Sequence, residues 1–112
     1  MTPENVKNIA KVLAVLIAER GEYTYVDKLG YAPSKDLIFY YLREALRDLH
    51  SLMRTEIKNS NVRNMLNEID FNQVERVITD ISRIESKREL REITSMITSY
   101  ALNFSASLIK KS

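Results

Sequence analysis

Twenty residues, Ser34 to Met53 (SKDLIFYYLREALRDLHSLM), run without a Gly or Pro, and their apolar side chains recur with the period of an α-helix. Ile38, Leu42, Ala45, Leu49 and Leu52 fall at +4, +7, +11 and +14, one seam of a helix, while Leu37, Tyr41, Leu46 and Met53 widen it. Ser34 is placed to cap the first turn, and Asp36 suits the positive end of the helix dipole there. A helix with so broad an apolar arc has to be gripped from more than one side, so the chain reads as other helices packed around this one. With only 2 Gly and 2 Pro in 112 residues, there are too few turn positions for a many-stranded β fold. The expected fold is all-α: a single helical domain over 1–112, a bundle of four long helices plus one short helix.

The remaining elements follow in order. Thr2, Pro3 and Glu4 read as N-cap and first turn of a helix that Gly21 ends in the left-handed conformation. Val6, Ile9, Ala10, Leu13, Leu16 and Ile17 form its main face. Val12, Ala14 and Val15 carry apolar surface onto the flanks, so its second half is either buried all round or part of an interface. Glu22 to Pro33, punctuated by Gly30 and Pro33, reads as a loop with one helical turn around Val26 to Leu29 and three tyrosines packing at the rim. After a KNSN turn at 58–61, capped by Asn59, Ser60 or Asn61, the spacing of Val62, Met65, Leu66 and Ile69 predicts a short helix. Asp70 and Gln73 resemble a capping box for the next helix, which bears Val74, Val77, Ile78, Ile81 and Ile84. There the apolar phase breaks: Leu90 lies about 240° round the wheel from Ile84, and Ser86 with Glu89 forms a second capping box. A boundary is therefore placed between Glu85 and Lys87. The last helix carries Leu90, Ile93, Ile97, Tyr100 and Phe104 at heptad-like spacing and ends in a frayed KKS tail.

Seventeen basic and 15 acidic side chains leave a net charge of +2, which is no electrostatic footprint for nucleic acid. The absence of Cys excludes a disulfide framework and a thiolate metal site. The most apolar run, Val12 to Ala18, is far shorter than the roughly 20 residues a bilayer span needs, and cytoplasmic location is the default. No nucleophile elbow, phosphate loop or dinucleotide fingerprint occurs. His50, the one histidine, has no ligand-type partner at helical spacing and reads as a surface or edge residue. No catalytic residue, cofactor, metal or small-molecule substrate is expected, and the chain is not expected to be an enzyme. On the long central stretch Arg43, Glu44, Arg47 and Asp48 alternate in sign, with Glu44 and Asp48, and Arg43 and Arg47, set to repel at i, i+4. Around the phase break Arg83, Lys87, Arg88 and Arg91 gather among Glu85, Glu89 and Glu92. They read either as a mixed exposed face or as a docking site for nucleic acid or a protein.

Two stretches resemble the helical domain of GINS subunits of the archaeal and eukaryotic replicative helicase complex. Leu16 to Leu49 is similar to their opening: a helix, a short link ending in a pair like Lys28-Leu29, and a helix continuing as Y-L-R-E-x-L. Asn72 to Tyr100 is similar to their later helices, where an Asp-Ile pair precedes an arginine-rich segment that Arg83, Arg88 and Arg91 would match. Glu85-Ser86-Lys87 spaces these arginines more widely than in that pattern, and the small β-domain of the family would have to be absent or on another chain. The resemblance implies a non-catalytic scaffold in DNA replication that joins partner proteins through apolar helix faces. A surplus of apolar surface on the first and last helices names Val12, Val15, Tyr100 and Phe104 as interface candidates in a homo- or hetero-oligomer.

The alternative uses the first stretch differently. It resembles a winged helix-turn-helix regulator, archaeal or viral, with Gly30 at the turn, Lys35 to Leu49 as recognition helix and MRTEI-KNSN-VRNML as wing. Lys35, Arg43, Arg47 and the 54–63 segment would then meet DNA, and the last helix could dimerise. Against it, few residues at the start of that helix can read base edges before the wall of Leu37, Ile38, Phe39, Tyr40 and Tyr41.

Overall fold

The computed structural model describes residues 3–31 and 34–111 and is all-helical, with no strand among the described residues. Among the described residues six helices follow one another, where four long helices and one short one were expected: α1 Pro3–Arg20, α2 Thr24–Tyr31, α3 Lys35–Met53, α4 Ser60–Glu68, α5 Phe71–Ser82 and α6 Lys87–Lys111. The expected cap Thr2 and the break at Pro33 lie outside the described residues. The 25 residues of α6 run about 37 Å at 1.5 Å per residue and account for most of the 41 Å long axis.

The hub is α1, not α3. Six successive side chains of α1, Val12 to Ile17, are buried, so this segment has no outward face. It packs against α3, α4, α5 and, most extensively, α6. Smaller contacts of α3 with α5, α2 and α1 bury Ile38, Leu42, Ala45, Leu46, Leu49 and Leu52; of the residues that widen its arc only Leu46 is buried, while Leu37 and Met53 stay exposed. Its two polar rows are wide enough to remain a surface helix, whereas α1 has no polar residue between Lys11 and Glu19 to turn toward water.

Caps expected from the sequence form. Gly21 takes φ +63, its N–H donating to the Ile17 carbonyl at 2.8 Å, which ends α1. Ser34 Oγ accepts from Leu37 N–H, Asn59 Oδ1 from Asn61 and Val62, Asp70 Oδ1 from Asn72 and Gln73, and Ser86 Oγ from Glu89. The phase break at Ser86 is a true boundary: α5 closes at Ser82 and α6 opens at Lys87. Asn8 Oδ1 accepts from the Asp70 backbone N–H at 3.0 Å, fixing the entry of α5 to α1.

Three expectations are corrected. Residues 24–31 form an eight-residue helix rather than a loop, because burial of Val26 and Leu29 against α3 and α6 outweighs the cost of Gly30 inside it. The 54–63 segment is no β-wing: it turns into α4, held by Arg63 donating to the carbonyls of Ile57 and Lys58, and the winged form of the regulator reading falls with it. The helix of α6 continues through Lys110 and Lys111 rather than fraying there.

Replacing Leu16 by Ala should cost about 2–5 kcal/mol, because its site is walled by neighbouring helices and cannot collapse. Gly21→Ala meets nothing within 4 Å, so its loss of about 1 kcal/mol should be purely conformational. Urea unfolding measures both, and equal losses would contradict the central role of α1.

Candidate functional site

The interface candidates separate when placed on the fold. Val12 and Val15 are 1% and 0% exposed, so they cannot present a surface to a partner; the apolar surplus of α1 is consumed by the four helices around it. Tyr100 and Phe104 lie half-buried against the core, their rings stacked at 6.1 Å and 15°, with the Lys7 ammonium 5.3 Å from the Tyr100 centroid. The seam Ile93, Ile97, Ala101 and Leu108 faces inward. Outward from it, α6 leaves Leu102 and Ile109 nearly half exposed.

The basic cluster at the phase break also divides. Arg88 and Arg91 share one side of α6 and, with Glu92, Ser95, Met96, Ser99 and Tyr100, line a shallow surface hollow. Arg88 is tied to Glu92 at 3.1 Å, both side chains well exposed. Lys87 lies on the other flank, in a smaller hollow with Ser34, Lys35 and Leu90. Arg83 caps α5 and is exposed, but lines neither hollow.

On α3 the structure assembles a group that sign alternation in the sequence obscured. Arg43, Arg47, His50 and Arg54, at i, i+4, i+7 and i+11, line one groove with Leu46, Ser51 and Glu75. The like-charged i, i+4 pairs do not remain in opposition, since each charge finds another partner. Arg43 reaches across to Glu75 of α5 at 2.7 Å and lies 5.3 Å from the Phe39 ring centroid. Arg47 pairs loosely with Glu44 at 3.4 Å, and Asp48 accepts a hydrogen bond from the Tyr25 hydroxyl of α2. His50 is exposed, its ring 5.8 Å from that of Phe71. Lys35, assigned to DNA in the regulator reading, instead donates to the Ile84 carbonyl at 3.2 Å. The regulator reading already named Arg43, Arg47 and the 54–63 segment that holds Arg54; Glu75 was missed because it comes from another helix.

The fold clearly shifts the protonation of Tyr25. Burial, and then its hydrogen bond to the Asp48 carboxylate, push the phenol well above its ordinary value.

Compared with known proteins, the chain is 55% identical over 102 residues to a protein of Archaeoglobus fulgidus described as uncharacterized, covering 90% of this chain and 88% of the relative. It belongs to the same family as that archaeal protein. No protein-family model and no solved structure matches it. No helix among the described residues is long and apolar enough to cross a membrane.

The Tyr25 shift gives a pH signature. A phenol raised by folding stabilises the fold fully below its unfolded value of about 10, and that contribution is lost as pH climbs above it. Tyr25→Phe should therefore cost about 1 kcal/mol at pH 7 and show a flatter loss of stability between pH 9 and 11.5 than the parent. Parallel curves for the two proteins in thermal melts would remove the contact from the account.

Proposed function

We propose that this protein is a non-catalytic assembly subunit that joins protein partners through the outer side of α6, in the manner of the helical domain of GINS proteins. The observation that carries this reading is the exposed apolar pair on that helix, Leu102 at 44% and Ile109 at 48%, one heptad apart on its solvent side. Seven residues bring a helix back to nearly the same angle, so the two side chains form a short strip that another helix can cover. Ala106 lies between them and allows close approach, while Arg88 and Arg91 continue the same side toward the N-terminal end of α6. A partner seated along this side would meet an apolar end and a basic end, which fixes its direction.

The resemblance of Leu16 to Leu49 and Asn72 to Tyr100 to GINS subunits supports replication as the process. The role assigned earlier to the first helix passes entirely to α6, since α1 is enclosed.

Light scattering at micromolar concentration tests the reading. The protein should run as two or more chains, and Leu102→Glu should shift it toward the monomer with its helical far-UV spectrum retained, because the side chain is already half in water. A monodisperse monomer of the unmodified protein would count heavily against it.

A further inference from the structure

The outward side of α3 carries more than the four basic residues of its groove. Tyr40, Arg43, Arg47, His50 and Arg54 follow one another at +3, +4, +3 and +4, so they form a single strip along the helix. From Arg43 to Arg54 the strip runs about 17 Å, at 1.5 Å per residue. Tyr40 stands at its head, 54% exposed, its ring edge-on to Tyr41 at 5.4 Å.

We propose that this strip binds single-stranded nucleic acid, with Arg43, Arg47 and Arg54 on successive phosphates and Tyr40 as a stacking surface for a base. Three observations carry it. The cations are arginines, whose planar guanidinium forks suit phosphate oxygens, and they are set where a backbone can be followed rather than scattered. Their positive charge is only partly answered. Arg47 is 75% exposed with a long contact to Glu44, Arg54 has no ion-pair partner among the described residues, and Asp48 is turned away to Tyr25. Finally, the strip combines this charge with an exposed aromatic ring, the pairing by which single strands are held without regard to sequence.

The same features select among polyanions. A duplex keeps its bases stacked inside and offers Tyr40 nothing, and an acidic peptide offers charge without a planar partner. With the arginines on phosphates and no Asn or Gln on α3, base edges would not be read and binding should be tolerant of sequence. Glu75 is the opposing element: its carboxylate holds Arg43 at 2.7 Å and competes with phosphate for it. The surface is separate from the outer side of α6 and does not depend on the assembly reading.

Fluorescence anisotropy of a labelled oligothymidylate of about 20 nucleotides, titrated with the whole protein, tests this. Binding should be micromolar at low salt, with a log–log salt slope near −2, as three phosphate contacts on a single strand imply. Arg47→Ala and Arg54→Ala should each weaken binding several-fold and flatten the slope by about 0.7. Tyr40→Leu should weaken it about fivefold or more with the slope unchanged. Glu75→Gln should tighten binding, a gain that misfolding cannot produce. The proposal is overturned by no binding at low salt, by a duplex, polyglutamate or anionic vesicle competing as well as the single strand, or by Glu75→Gln leaving affinity the same.

Discussion

Enclosure of α1 is the constraint on which the rest of this structure depends. A helix whose residues 12–17 are all apolar has no stable orientation at a surface, because any exposed arc would leave several large side chains in water. The chain meets this by laying α3, α4, α5 and α6 around it. Short links suffice, since each outer helix needs only one apolar stripe toward the centre, and the caps at Asn59, Asp70 and Ser86 set where each stripe begins. Asn8, on the same central helix, holds the start of α5 by a side-chain hydrogen bond, so the hub also contributes polar registration.

With the core supplied by α1, the outer helices are free to carry surface chemistry. The polar side of α3 illustrates how tertiary neighbours rewrite a local charge pattern. Read alone, Arg43 and Arg47, or Glu44 and Asp48, are like charges one turn apart. In the fold Arg43 turns to Glu75, Asp48 to Tyr25 and Arg47 to Glu44, and the basic ends are left along one groove. The exposed ion pairs add little stability, but they set which way each guanidinium points. On α6 the corresponding division runs along the helix, basic near Arg88 and Arg91 and apolar near Leu102 and Ile109.

Much of the architecture was legible beforehand. The helical class, the positions of most boundaries and the break at Ser86 follow from periodicity and caps, which act within a few residues. What misled was any inference about which helix lies inside. The broad arc of α3 and the nearly continuous apolar run of α1 both signal contact on several sides, and a single sequence does not say whether that contact is with neighbours or with another molecule. Val12 and Val15 show the difference: as pattern they suggest an interface, and in the fold they are core. The α2 segment failed for the related reason that Gly30 weighs against a helix locally, while the packing of Val26 and Leu29 is decided by residues far along the chain.

The sequence by itself determined that this protein is helical, where its caps fall and which side chains must leave water, because these depend on backbone hydrogen bonding and on the 3.6-residue period. Only the tertiary structure decided that α1 is the centre, that Glu75 and Tyr25 draw off charges from α3, and that Tyr40, Arg43, Arg47, His50 and Arg54 remain together at the surface. Those outcomes depend on which helices become neighbours, and that choice is made by packing the whole core at once.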